Sequence, residues 1–151
     1  MKKNSGFTWA CPRCGGELVE VLRLGLEPRA RIRGAIQLAE AGHHPEAATV
    51  YEDLLATQPE LEPTLRAVVL TNLGACHSAQ GRAERGAALH RAAIELCPEA
   101  LGPRWNLFAN LYARGQRTAA RRELEQLRAR AGPSPELDAL LEALRPPGLK
   151  N

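Results

Sequence analysis

The sequence predicts an all-α chain of three helix–turn–helix units closed by a further helix, and three observations predict it. Glycines recur after helix-like stretches at Gly42, Gly81 and Gly115, spaced 39 and then 34 residues. Each is followed five residues later by a small residue, Ala47, Gly86 or Ala120. A proline, Pro59, Pro98 or Pro133, then ends each unit, because proline lacks the N–H and its ring clashes with the preceding turn. Aromatic residues make up only 4% of the chain against 44% hydrophobic. The core must therefore be built of Leu, Ala and Val, which suits close-packed helices.

Each element follows from these marks. Residues 1–27 read as a knuckle and linker around Cys11-Pro12-Arg13-Cys14-Gly15-Gly16. The repeat body runs over 28–145, with units at about 28–61, 67–100 and 101–134, and the first glycine spacing is enlarged by a linker, Glu60-Leu61-Glu62-Pro63-Thr64. Nine residues after each turn glycine stand Tyr51, His90 and Leu124, followed three further on by Leu54, Ala93 and Leu127. That spacing puts them on one face of a second helix. Ser134 suits an N-cap and Pro135 the first helical position, and Leu137, Leu140, Leu141 and Leu144 continue at helical spacing, predicting a closing helix over 135–145. Glu136, Asp138 and Glu142 would face outward and keep the end of a stack soluble. Arg145-Pro146-Pro147-Gly148 predicts a flexible tail over 146–151.

A unit of 34 residues with helix, glycine turn, helix and closing proline resembles the tetratricopeptide repeat (TPR). The local match is best at Asn72-Leu73-Gly74, with His77, Gly81, Ala93 and Pro98 following, and the resemblance covers about Pro28 to Gly132. It implies a right-handed superhelix of three repeats plus a capping helix, in which Gly74 and Gly86 meet where two helices cross. Two repeats depart from the pattern. Gly34 and Ala35 stand where leucine and glycine are usual, and Leu107-Phe108 puts a bulky ring where a small residue is expected, so Phe108 is expected to splay its helix pair.

The resemblance further implies a non-catalytic scaffold whose first helices line a concave groove for a protein or peptide partner. Carried over by position, the groove would receive Arg29, Arg33 and Ile36 from repeat one, Thr71, Asn72, Ala75 and Ser78 from repeat two, and Trp105, Asn106, Ala109 and Tyr112 from repeat three. Asparagine offers an extended backbone both donor and acceptor, while Trp and Tyr supply area at low entropy cost. The alternative is that Asn72 and Asn106 tie helices together and Trp105 packs between repeats. Some members of the family hold a C-terminal carboxylate with two lysines, an arginine and two asparagines. Here only Asn72 clearly fits that set, Arg33 adds charge, and the lysines are absent, so such recognition is not expected.

The head, Phe7 to Leu18, resembles one knuckle of a zinc ribbon or rubredoxin-like module. Two thiolates two residues apart chelate one metal ion, and Gly15-Gly16 permit the tight turn. A closed zinc site needs four ligands, yet Cys76 and Cys97 stand isolated in the repeats. Completion by His43 and His44, by the knuckle of a second copy in a homo-oligomer, or by a partner protein stays open, as do a metal-free relic and a redox Cys-x-x-Cys. An accessory or redox protein acting through Cys11 and Cys14 is thus the alternative to an adaptor.

Charge and motifs exclude other classes. The net charge of +3 is too modest to imply nucleic acid, although residues 1–33 carry +4, residues 34–103 carry −5 and residues 104–151 carry +4. Arg114, Arg117, Arg121 and Arg128, with Arg122 and Arg130 beside them, form a basic stripe, but Glu125 lies one turn from Arg121 and ion pairing on a wet face explains it. Lys2 and Lys3 precede no apolar stretch of signal-peptide length, and the longest aliphatic run is Ala67 to Leu70, so a cytoplasmic location is expected. A phosphate loop, nucleophile elbow, zinc-protease helix or kinase signature is absent. Cys76 and His77 are adjacent and diverge on a helix. His77 and His90 occupy core positions of the repeat, and their burial predicts pH-sensitive stability.

Overall fold

The computed structural model describes residues 27–146, which form seven helices and divide into two compact units, one ending at Pro59 and one beginning at Glu60. In the first unit α1 (Pro28–Glu40) and α2 (His44–Thr57) form a hairpin. Proline opens α1 at a position whose N–H has no helical acceptor in any case. The helix ends where Gly42 takes φ +85°, its N–H donating to the Ala39 carbonyl at 3.0 Å and that of His43 to the Leu38 carbonyl at 2.8 Å. This paired bonding satisfies carbonyls that a helix end leaves free. Ile32, Ala35, Leu38, Ala47, Val50, Tyr51 and Leu54 are buried. Beside them the buried Arg31 pairs with Asp53 at 2.6 Å and donates to Thr57 Oγ1 at 3.2 Å.

The second unit holds α3 (Pro63–Ala79), α4 (Ala83–Leu96), α5 (Leu101–Ala113), α6 (Arg117–Ala131) and α7 (Pro135–Ala143). Helix α3 opens at Pro63, inside the Glu60–Thr64 stretch that reads from sequence as a linker. The Glu62 carboxylate accepts from the N–H groups of Thr64 and Leu65 at 3.0 and 3.2 Å, capping the first turn with an anion where the helix dipole favours one. The turns at Gly81 and Gly115 repeat the bonding at Gly42, with φ +78° and +71°. Within this unit neighbouring helices pack in chain order, and α3 also meets α5, so the first helices of these two repeats lie side by side.

Small residues set the α3–α4 crossing. A Cβ added at Gly74 would lie 2.7 Å from His90 Cε1 and 3.0 Å from the Gly86 carbonyl oxygen, and one at Gly86 would lie 2.7 Å from the Gly74 carbonyl oxygen. The two backbones meet here, and the His90 ring fills the space that Gly74 leaves. His77 and His90 are both buried, each 1% exposed.

Phe108 does not stand out of the third repeat. It is buried with Leu107, Leu111, Ala120, Leu124 and Leu127, and its outer neighbours are Trp105 and Tyr112, with ring centroids at 5.3 and 5.9 Å. Buried Arg104 bridges α5 to α6 through Glu123 at 2.9 Å. The arginines of α6 serve α7. Arg117 donates to the Ala143 carbonyl and Arg121 to the Leu141 carbonyl, both at 2.7 Å, while Arg128 pairs with Asp138 at 2.6 Å. Ser134 caps the start of α7 through the Leu137 N–H at 3.5 Å. The helix is thereby held at both ends, and Leu137 and Leu144 are buried. Of the described helices, none is long and apolar enough to cross a membrane.

Candidate functional site

Along α3 and α5 of the second unit runs a trough of three confluent depressions. The first, of 310 Å³, lies among Val68, Thr71 and Asn72 of α3, Cys97 and Ala100 of the connection, and Pro103 of α5. The second, of 500 Å³, shares Thr71 and Asn72 and adds Leu101, Trp105 and Asn106. The third, of 280 Å³, shares Asn106 and continues through Ala75, Ser78, Ala109 and Asn110 to His90 on α4. Helical periodicity explains the lining: Val68, Asn72 and Ala75 recur on one face of α3, as Trp105, Asn106, Ala109 and Ala113 do on α5.

The trough exposes large apolar side chains that a packed bundle would cover. Trp105 is 43% exposed, Val68 39% and Leu101 41%; on α5, Tyr112 is 51% exposed. The rings of Trp105, Phe108 and Tyr112 follow one another, so the exposed pair is braced by a buried phenyl. Asn72 and Asn106 are half-buried, and their carboxamides make no hydrogen bond within the described residues. They do not tie helices together. Ser78 differs: its hydroxyl donates to the Gly74 carbonyl at 3.0 Å and accepts from Asn110 Nδ2 at 2.9 Å, so it already serves the fold.

Among the described residues the lining has no Asp, Glu, Lys or Arg. Its one titratable side chain besides Cys97 is His90, whose pKa burial lowers to about 4, leaving the ring neutral at pH 7. The acidic middle of the chain therefore does not colour the trough. The basic stripe lies elsewhere, on α6 and the turn before it, with Arg114 paired to Glu84 at 3.0 Å, Arg121 to Glu125 at 2.9 Å and Arg130 to Glu99 at 3.7 Å.

Arg29 and Arg33 are exposed on α1, in the first unit, and Ile36 is half-buried. Cys11 and Cys14 lie outside the described residues. His43 Nδ1 is 3.9 Å from the Glu46 carboxylate. Among the described residues no group of three or more His, Cys, Asp or Glu gathers to hold a metal ion. Cys76 is buried and its thiol pKa is pushed up to about 11 by desolvation, so it is not a nucleophile at neutral pH. Several residues of the trough were not singled out for it from sequence, among them Val68, Leu101 and Asn110. Asn110 carried a readable signal, since it stands one helical turn after Asn106.

No protein-family profile matches the chain, and no curated protein does. Among solved structures the chain is similar to the crystal structure of the Sgt2 TPR domain from Aspergillus fumigatus, at 17% identity and a TM-score of 0.62, over 94% of this chain and 90% of that one. The helix pairs, their glycine turns and this likeness together identify the fold as TPR-like, a helical repeat.

Proposed function

We propose that this protein is a non-catalytic adaptor that holds a partner polypeptide in the trough between α3 and α5. The observation that carries the reading is the pair of half-buried carboxamides, Asn72 and Asn106, which line the trough without a hydrogen bond to any other described residue. An extended polypeptide brings unpaired N–H and C=O groups, and each carboxamide answers both. Trp105 beside them offers rigid apolar area of the kind that dominates binding energy. Because no charged side chain among the described residues lines the trough, the fitting segment is uncharged, and a terminal carboxylate would find no cation there. The test replaces Trp105 and Asn106 by alanine and measures recovery of partners purified with the protein from its native host. Recovery of a specific partner should fall at least tenfold while circular dichroism is unchanged; undiminished recovery overturns the reading.

The spacing of Cys11 and Cys14 favours a second reading, a zinc-dependent accessory or redox role for the N-terminal knuckle, shared between two copies or completed by His43 and His44. Metal analysis of protein purified without added zinc tests it. Less than one zinc per two chains overturns both a site within one chain and a site between two. Changing both cysteines to serine separates the readings, since an adaptor keeps its partner and a metal-assembled or redox module loses its activity.

A further inference from the structure

Each depression of the trough is walled chiefly by apolar groups, and each junction between depressions carries one carboxamide. Ala67, Val68 and Pro103 wall the first, Leu101, Trp105 and Leu137 the second, and Ala75, Ala109 and Ala113 the third. Asn72 of α3 borders the first and second, and Asn106 of α5 borders the second and third. Neither carboxamide makes a hydrogen bond within the described residues. Along α3 the first depression is centred at Val68 and the third between Ala75 and Ser78, about 12 Å apart by helical rise. An extended chain covers about 13 Å in four residues, and its side chains at i, i+2 and i+4 point to one side. Three such side chains match the three depressions in spacing.

We propose that the trough selects an extended polypeptide segment by apolar side chains at alternate positions, an aliphatic one at i, an aromatic one at i+2 and an aliphatic one at i+4. The proposal rests on the reading of the trough as a polypeptide site. Side-chain size follows the space. The second depression, of 500 Å³, is the largest of the three and presents the Trp105 ring, against which an aromatic ring packs offset or edge-to-face. The outer two, of 310 and 280 Å³, offer mainly aliphatic walls. A charged side chain in any of them would shed water and find no counter-charge among the described lining residues. A helix could also bring apolar side chains to these depressions, at i, i+4 and i+7. Its own N–H and C=O groups are already spent on one another, however. A helix would therefore cover Asn72 and Asn106 without answering their amides, and burying polar groups unpaired is costly. The carboxamides at the junctions decide for the extended chain.

The test selects linear dodecapeptides from a random displayed library against the full chain, then measures the binders on three variants: Trp105→Ala, Asn106→Ala and Ala109→Leu. Ala109 is exposed, so leucine there fills the third depression without entering the core. Support consists of binders with apolar residues at i, i+2 and i+4, the middle one aromatic, that lose at least tenfold when one glycine is inserted after i+2. A slip of one residue turns every following side chain to the other face. Ala109→Leu should cost these binders at least tenfold when i+4 is leucine and less than twofold when it is alanine. Binders that need Trp105 yet space their apolar residues at i, i+4 and i+7, share no spacing, or keep full affinity for Ala109→Leu with leucine at i+4 overturn the alternation and leave the trough reading intact. Binders indifferent to Trp105→Ala and Asn106→Ala, or no binders at millimolar peptide, overturn both.

Discussion

Gly74 and Gly81 are glycines for different physical reasons, and substitution separates them. Gly81 has φ +78° with nothing within 4 Å of an added Cβ, so Gly81→Ala costs backbone strain of about 1–2 kcal/mol. Gly74 is helical, and Gly74→Ala drives a methyl against His90 and the Gly86 carbonyl, an overpacking of about 1–3 kcal/mol. Denaturant melts should show that His90→Ala recovers part of the second loss and none of the first. His90 also makes stability depend on pH. Its pKa is about 4 in the folded state against an ordinary 6.5, so the unfolded chain binds the proton more readily. The neutral ring's contribution is full above about pH 6.5 and is lost as pH falls toward 4. Between pH 7.5 and 5 the loss is about 2 kcal/mol, read as a falling melting temperature, and the part due to this ring should vanish in His90→Leu. Burial of this histidine was legible in its position nine residues after Gly81. That its ring would also border the trough was not, because the far side of a core side chain is set by the helix packed behind it.

Helix α7 is nine residues long, too short to persist alone in water, and is held by what α6 offers it. Arg117 and Arg121 donate to carbonyls at its C-terminal end, where the last four have no helical partner. Changing both arginines to alanine should cost about 1 kcal/mol for each bond and accelerate hydrogen exchange at Leu140 to Leu144 more than in α3. The basic stripe read from sequence as ion-paired is thus partly a set of helix-end clamps, which periodicity cannot reveal because the acceptors are backbone atoms of another element. The pairs Arg31–Asp53 and Arg104–Glu123 show the converse. Each arginine stands eleven residues before its turn glycine, where the second repeat has the buried Leu70. Their register could be read in advance, though their burial could not. Glu123→Ala leaves the Arg104 guanidinium without its carboxylate and should cost about 3 kcal/mol, measured by denaturant unfolding.

The charge asymmetry along the chain does not reach the trough, whose lining among the described residues is neutral. Peptide affinity there should accordingly change less than about twofold between 50 and 500 mM salt, since only exposed charges are screened, and titration calorimetry at the two salt levels checks this. The helix–turn–helix units, their glycine turns and their apolar faces were determined by the sequence alone, because propensity, φ and periodicity act within a few residues. The tertiary structure decided which polar groups are already spent. Ser78 and Asn72 read alike as groove residues, yet among the described residues the Ser78 hydroxyl is bonded and the Asn72 amide is not. Whether a side chain is free for a partner depends on atoms some 30 residues away in sequence, and only the packing of α3, α4 and α5 brings those atoms together.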